Sequence, residues 1–288
     1  MKKATKITLL IALIMVIVGA GVASAAFVLG AKTELYWNNG FQVMERGERQ
    51  EIDEILPAFS MIEAELNTAR VTIRYGDAHR IEGVHYDTLR YEVQGDTLYV
   101  TGGTGRDLTS TGHIKRLTIG FRNTGTEAGR IVIFVPYGME LSQLNIRAGT
   151  GRIELADIAA GSVRLRTGTG GITTRRVNLN DAFINTGTGS ISFEGELAGT
   201  NELITGTGSI SFEGRLSGMN KFRTGTGRAA IRIPMPRERY SYAVSTSTGG
   251  IMINGKRQGK NVVQTVADPL GYIQLNTGTG SVSLHFSE

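Results

Sequence analysis

The chain has 288 residues, of which 39 are glycine and none is cysteine, and its formal net charge is +5. The absence of cysteine excludes disulfide bonds, thiolate metal sites and cysteine nucleophiles. Lys2, Lys3 and Lys6 precede a long apolar segment, and the other 28 basic residues nearly balance the 26 acidic ones, which argues against a nucleic-acid-binding protein.

Residues 7–30 contain no charged side chain. As a helix, this segment would be about 36 Å long, enough to cross a hydrocarbon core of about 30 Å. The preceding lysines favour a cytoplasmic N-terminus, residues 1–6, with the rest of the chain outside. We therefore predict a transmembrane anchor that contacts the lipid bilayer and a single-pass protein of the cell membrane. The alternative is a signal peptide, because residues 23–25 (Ala-Ser-Ala) form a small-residue cleavage pattern before Ala26.

Residues 31–55 are predicted to be a stalk or linker. Tyr36 and Trp37 follow the apolar segment closely and suit either the lipid headgroup region or packing on the first strand. The charged residues 45–54 permit a helical turn, which Pro57 would end.

Residues 56–138 are predicted to be a β region that caps the repeats that follow. Apolar and polar residues alternate with the period of a strand, and Gly-Asp pairs mark turns. The Gly/Thr-rich residues 101–111 are predicted to be a loop. His79, His85 and His113 have spacings that match no metal-ligand motif, so we predict that they are surface histidines.

Residues 139–288 are organised by a repeated four-residue word, Thr-Gly-Thr-Gly. The word begins at intervals of 19 residues, at Thr167, Thr186, Thr205 and Thr224. A degenerate copy begins 19 residues earlier at Ala148, and looser copies begin at Thr246 and Thr277. A constant period with apolar residues in phase is typical of a stacked-repeat protein.

The apolar residues around each word fix its geometry. Ile184 lies two residues before Thr186, whereas Ile191 and Phe193 lie five and seven residues after it. An odd separation puts Ile184 and Ile191 on opposite faces of one unbroken strand, so the chain must turn at the glycines for both to face inward. We therefore predict an all-β parallel β-solenoid of 19-residue coils, in which residue n pairs with residue n+19. A second corner is expected near Gly195 or Gly199.

The repeat loses its regularity after Thr224. Extra residues at 231–240 lengthen one coil by three, and residues 256–270 lengthen the next by twelve. Each insertion is either a projecting loop that contacts a partner or a tolerated insertion. The last copy, at Thr277, is predicted to end the stack, with His285 and Phe286 closing it.

Several of these features together resemble a bacterial family. They are the stretch Thr-Gly-Thr-Gly-Ser-Ile-Ser-Phe at 186–193 and 205–212, residues 66–73, the strand at 131–136 and the single apolar segment. They are similar to β-strand-repeat proteins called putative adhesins, a domain of unknown function, over residues 59–286. The resemblance implies a membrane-tethered, extracytoplasmic β-solenoid without family catalytic residues. The family's commoner word, Thr-Ser-Thr-Gly-Asp, here has Gly or Ser in place of Asp, which removes a ladder of acids.

Four arginines form a basic cluster around one coil: Arg164, Arg166, Arg175 and Arg176. This cluster is either a solvated surface or a site for an anionic partner.

No pattern predicts catalytic, cofactor-binding or metal-ligating residues. We predict a non-enzymatic, adhesin-like or envelope-scaffold module with a stress-associated role. Its partner would be a cell-envelope protein or polysaccharide. The alternative is a carbohydrate-active β-helix enzyme acting on cell-wall or extracellular polysaccharide, with candidate carboxylates Asp157, Asp181, Glu194 and Glu213. Ice binding through stacked threonines is a third hypothesis, although the threonines lie at a glycine corner.

Overall fold

The structure, a computed structural model, describes residues 34–37, 41–43, 50–85, 89–102, 118–120 and 129–287. The chain divides into two compact units, Met1–Gly47 with Asp107–Thr126, and Glu48–Arg106 with Glu127–Glu288. The predicted anchor at 7–30 lies outside the described residues, as do residues 103–111 of the loop predicted at 101–111. The first two residues of that predicted loop belong instead to the strand Thr97–Gly102. Among the residues that are described, no helix has the length and apolar character needed to cross a membrane.

The described residues form β-strands and one short 3-10 helix, Arg237–Arg239. In chain order the strands are β1 (Glu34–Trp37), β2 (Phe41–Val43), β3 (Gln50–Ile55), β4 (Met61–Gly76), β5 (Arg80–His85), β6 (Leu89–Gln94), β7 (Thr97–Gly102), β8 (Thr118–Gly120), β9 (Gly129–Pro136), β10 (Glu140–Ala156), β11 (Ala159–Thr169), β12 (Ile172–Asn180), β13 (Ala182–Thr188), β14 (Ile191–Ala198), β15 (Thr200–Thr207), β16 (Ile210–Leu216), β17 (Gly218–Thr226), β18 (Ala229–Ile233), β19 (Tyr240–Thr248), β20 (Ile251–Ile253), β21 (Lys256–Gln258), β22 (Asn261–Gln264), β23 (Gly271–Thr279) and β24 (Val282–Phe286).

The smaller unit contains a three-stranded antiparallel sheet in the order β2-β1-β8. In the central strand β1, Leu35 is in register with Val43 of β2 on one side and with Ile119 of β8 on the other. Strands β1, β2 and β3 all fall in the segment predicted to be a stalk. The helical turn predicted for residues 45–54 is wrong for residues 50–54, because they belong to β3, which pairs antiparallel with β5.

The larger unit is the predicted parallel β-solenoid. We number its coils by their place in the stack: coil 1 (β7, β9), coil 2 (β4), coil 3 (β10), coil 4 (β11, β12), coil 5 (β13, β14), coil 6 (β15, β16), coil 7 (β17, β18), coil 8 (β23, β24) and coil 9 (β19, β20). The predicted n to n+19 register holds in coils 3–7, as in the pair Ile191 and Ile210, except where a bulge between Thr174 and Val177 shifts residues 177–180 to n+18. With about 4.8 Å between strands, the stack is about 38 Å high.

The corner predicted at each word is present. Gly189, the fourth residue of its word, has a φ of 150°. A Cβ atom there would stand 1.8 Å from the carbonyl oxygen of Gly170 in the neighbouring coil, so only glycine fits. The turn lets Ile184 and Ile191 both be buried. Of the two positions predicted for the second corner, Gly199 lies at the bend between β14 and β15 with a φ of 74°, whereas Gly195 lies within β14 with a φ of 147°.

The region predicted to cap the solenoid supplies two of its coils. In coil 2, Thr68 is in register with Thr150, the third residue of the degenerate word. Coil 1 lies outside coil 2 and is assembled from β7 and β9. Antiparallel strands then cover its edge: β6 pairs with β7, β5 with β9, and β3 with β5.

The predicted stacking in chain order is wrong after Thr224. Coil 8 contains the last strands of the chain, and it lies between coils 7 and 9: Thr277 is in register with both Thr224 and Thr246. Phe286 therefore does not close the stack, but is buried 5.6 Å from the ring of Tyr240. The physical reason is that coil 9 has its own edge cover, which coil 8 lacks.

That cover is formed by residues 256–270. Strand β21 pairs antiparallel with β20, and β22 pairs antiparallel with β19. The insertion is thus neither a projecting loop nor a neutral addition, because it covers the edge of coil 9. Antiparallel strands therefore flank both ends of the solenoid.

Candidate functional site: the outer faces of the solenoid

The first threonine of each word faces the interior and belongs to the fold. Thr186 is fully buried, and its hydroxyl donates to the carbonyl oxygen of Gly170 at 2.9 Å. Thr205 donates to Gly189 in the same way at 2.8 Å. These bonds run between neighbouring coils.

Two buried asparagines hold the bends at the far side of the coils. Asn201 accepts a hydrogen bond from the backbone N–H of Ala182 and donates to Asn220 Oδ1, both at 2.9 Å. Asn220 in turn donates to the carbonyl of Ser217 at 3.1 Å. Sequence reasoning missed this short ladder, although the two asparagines lie 19 residues apart.

The second threonine of each word is exposed at the corner. These threonines are in register from coil 2 to coil 9, in the order Thr68, Thr150, Thr169, Thr188, Thr207, Thr226, Thr279 and Thr248. Because the first threonines point inward, the exposed hydroxyls form one column rather than a flat two-column array.

Opposite charges are stacked between successive coils on the outside of the solenoid. The N–O distances are 2.5 Å for Asp157–Arg176, 3.4 Å for Glu196–Arg215, 3.6 Å for Glu202–Arg223 and 3.8 Å for Glu213–Arg232. In the first pair, hydrogen bonding by the Arg176 guanidinium lowers the pKa of the Asp157 carboxyl.

The four candidate carboxylates do not form a single cluster. Asp157 pairs with Arg176, and Asp181 accepts a hydrogen bond from the backbone N–H of Thr200 at 2.8 Å in a turn. Glu194 and Glu213 are stacked in register, as predicted. Both are exposed on the outside of a strand.

The predicted basic cluster is divided by the corner at Gly170. Arg164 and Arg166 lie on the outer face of β11, whereas Arg175 and Arg176 lie on β12. The register instead places Arg147 directly beside Arg166. Sequence reasoning missed Arg147, although it precedes Arg166 by one period.

The remaining polar features are structural. A ring nitrogen of His79 lies 3.0 Å from the carbonyl oxygen of Phe59, while His113 and the side chain of His85 are outside the described set. A groove of about 420 Å³ over β3, β5 and β9 is lined in part by Asp53 and Glu82, which contact Arg80 at 2.7 and 3.3 Å. In the described part of the chain, no three metal-ligating side chains form a group.

The part of the chain that contains these repeats matches the model of a protein family. The model of Toastrack DUF4097 matches residues 59–286. The chain belongs to the Toastrack DUF4097 family. This confirms the family predicted from the repeat words, and it gives the solenoid its name as a Toastrack domain. The match begins after residues 7–30 and leaves the anchor a prediction.

Several solved structures are similar to this chain. A "putative adhesin" from Bacteroides fragilis NCTC 9343 is 13% identical, with 82% of this chain and 96% of that chain covered and a TM-score of 0.49. A "putative cell adhesion protein" from Clostridium sporogenes ATCC 15579 is also 13% identical, with coverages of 83% and 100% and a TM-score of 0.37. A "Putative lipid binding protein" from Parabacteroides distasonis ATCC 8503 is 12% identical, with coverages of 84% and 98% and a TM-score of 0.36. No curated protein matches the chain.

Proposed function

We propose that this Toastrack protein is a non-enzymatic binding or scaffold module that stands outside the cell on an N-terminal membrane anchor. The apolar residues 7–30 and the three lysines before them support the anchor and its orientation. The partner is a protein or polysaccharide of the cell envelope. Adhesion, scaffolding and a stress-associated role all use the same property, a stable surface held at the membrane.

The observation that carries this proposal is the division between the inside and the outside of the solenoid. The inside is packed with apolar side chains, such as the stacked Phe193 and Phe212 rings 5.2 Å apart. The charged residues lie on the outer faces, where parallel strands repeat about every 4.8 Å. Such faces suit the binding of an extended partner.

The absence of native cysteine permits a direct test of location and topology. In the full-length chain, we would introduce Thr188→Cys on the exposed column or Ala4→Cys before the apolar segment. A membrane-impermeant maleimide should label the first variant in intact spheroplasts and the second only after lysis. Labelling of both variants only after lysis would contradict the proposal, and release of a mature protein beginning at Ala26 would support the signal peptide instead.

A second candidate function is carbohydrate cleavage, which the stacking of Glu194 on Glu213 favours. Neighbouring parallel strands place their Cα atoms about 4.8 Å apart, and retaining glycosidases hold their two carboxyl groups about 5–5.5 Å apart. The test is incubation of purified wall polysaccharides with the full chain and with Glu194→Gln. Release of sugars by the native chain but not by the variant would establish an enzyme, with Glu140→Gln as the control for loss of an exposed acid.

A further inference from the structure

Three arginines form a compact cationic patch on the outer face of coils 3 and 4. Arg147 in β10 is in register with Arg166 in β11, which places their Cα atoms about 4.8 Å apart. Arg164 lies two residues before Arg166 and therefore on the same face, about 7 Å away along the strand. All three side chains are exposed. We call Arg147, Arg164 and Arg166 the arginine patch.

Arg130, Arg70 and Arg152 are also in register with one another on coils 1–3, but Glu154 contacts Arg70 and Arg152 there at 3.8 and 3.7 Å. The arginines of the patch have no such acid in the described part of the chain. Among the described residues, five ion pairs between successive coils join an acid to an arginine, from Arg70–Glu154 to Glu213–Arg232. At the patch, Arg147 faces Arg166 instead. Like charges directly opposite each other on neighbouring strands are destabilising, so the fold gains nothing from this pair.

Among the described residues, no acid forms an ion pair with an arginine of the patch. In the described part of the chain, Arg147 and Arg164 have no hydrogen bond or ion pair, and Arg166 lies 4.9 Å from the centre of the Phe183 ring. Glu65 is in register with Arg147 in coil 2, but no ion pair joins them. The next acid on this face, Glu63, accepts a hydrogen bond from Asn145 at 3.3 Å. All three guanidinium groups thus keep N–H donors for a ligand, because stacking over the Phe183 ring uses the face of the Arg166 guanidinium and not its N–H groups.

The spacing of these groups fits a phosphodiester polymer. Each guanidinium is a planar fork that donates two parallel hydrogen bonds to an oxyanion. The two charged oxygens of a phosphodiester each accept more than one hydrogen bond, so one phosphate can receive bonds from both Arg147 and Arg166. In an extended glycerol phosphate chain, six bonds separate successive phosphorus atoms, a span similar to the distance of about 7 Å between Arg166 and Arg164. Arg164 is then placed for a second phosphate farther along the strand.

We propose that the arginine patch binds successive phosphate groups of an extended phosphodiester polymer in the cell envelope. The patch lies on the outside of flat, parallel strands, which suits a linear polymer that crosses several coils. This inference rests on the proposed function, which puts the face outside the cell. It makes the partner of the Toastrack domain a phosphate-bearing polymer rather than a protein or a lipid.

The test measures binding of the full-length chain, kept in a neutral detergent, to poly(glycerol phosphate) by isothermal titration calorimetry. The patch variant is R147Q/R164Q/R166Q. Its control, R175Q/R228Q/R232Q, removes the same charge from three exposed arginines away from the patch: Arg175 in β12, Arg228 between β17 and β18, and Arg232 in β18, which pairs with Glu213. We expect the patch variant to lose about tenfold or more in affinity, and the control to lose about twofold or less. Circular dichroism of both variants should give the native spectrum.

Three patterns of binding would overturn the proposal, and so would a complete absence of binding. They are equal losses in the two variants, equal affinity for a polygalacturonate of the same charge, and binding to phosphatidylglycerol vesicles but not to the polymer. Absence of binding to all three probes identifies the patch as a solvated surface and also overturns it. Because this binding is measured in solution, it is independent of the cysteine-labelling result, and the failure of one proposal does not imply failure of the other.

Discussion

Thr186 and Thr167 occupy the same position in successive coils, but their hydroxyl groups differ in bonding. Both are buried. Thr186 donates to Gly170, whereas the Thr167 hydroxyl has no hydrogen-bond partner among the described residues. A comparison of the two residues therefore separates the contribution of the hydrogen bond to stability from the contribution of packing in the interior.

We expect Thr186→Val to lower the free energy of unfolding by about 1 kcal/mol, because it removes a donor and keeps the shape of the side chain. The matched variant, Thr167→Val, should be neutral or slightly stabilising, since it removes an unpaired buried hydroxyl. Urea denaturation followed by circular dichroism measures both. Equal losses in the two variants would mean that the hydroxyl groups contribute alike and that the bond to Gly170 is not the cause.

Asp157 is the residue from which we expect pH dependence. Its folded-state pKa is lowered by the Arg176 guanidinium, below a value of about 3.9 in the unfolded chain. The pair therefore stabilises the fold above that pH, and the stabilisation is lost as the pH falls through the lowered pKa. Asp157→Asn should thus reduce the urea midpoint at pH 6 and have little effect near pH 2. A difference that stays constant over this range would contradict the prediction. Asparagine also tolerates the φ of 58° found there, so the backbone is not a second variable.

For individual residues, the sequence predicted which side chains are buried better than it predicted which side chains lie next to each other. The phase of Ile184 and Ile191 was sufficient to require the turn at Gly189, because side-chain direction alternates along a strand. The arginine patch was not predicted, because neighbours in the chain were grouped instead of neighbours one period apart. Arg175 and Arg176 lie beyond the corner from Arg166, whereas Arg147 lies beside it.

For the strands, the repeat length predicted the pairing only where copies follow without interruption. Through coils 3–7 the register follows from the 19-residue period, since each coil is stacked on the one before it. After Thr224, two copies with similar words compete for the same edge. Neither the spacing nor the composition of the two copies shows whether the word at Thr246 or the word at Thr277 pairs with the word at Thr224. The choice depends on residues 256–264, which cover coil 9 and whose strand pairing is not encoded in the repeat.

Engineered disulfides can test this order of coils against a background free of cysteine. Thr226 and Thr279 are in register, so their Cα atoms lie within the 4.4–6.8 Å range of disulfides, roughly 4.8 Å apart. We expect T226C/T279C to form a bond on mild oxidation, detected by peptide mass mapping. The pair T226C/T248C should not, because one coil separates the two residues by about 10 Å. Efficient bonding of the second pair and not the first would restore stacking in chain order.

On the scale of the whole solenoid, the main hazard is exposure of unpaired strand edges. An open parallel stack presents free N–H and C=O groups at each end, and such edges template pairing with another molecule. Both ends here are covered by antiparallel strands. At one end the outer coil 1 comes after coil 2 in the chain, and at the other end the outer coil 9 comes before coil 8. As a result, β4 in coil 2 and β23 in coil 8 each have a neighbouring coil on both sides.

We therefore expect loss of the cover over coil 9 to cause self-association. Replacing residues 256–264 by a flexible Gly-Ser linker would leave the edges of β19 and β20 without their antiparallel partners. Sedimentation velocity should then show association that increases with concentration, because the free edges pair between molecules. The control K256S/R257S/K260S keeps the strands and removes their charges, and it should stay monomeric if backbone pairing protects the end. Equal association of the two variants would show that charge repulsion is the protective factor, while a monomeric linker variant would show that the edge of coil 9 is not a hazard.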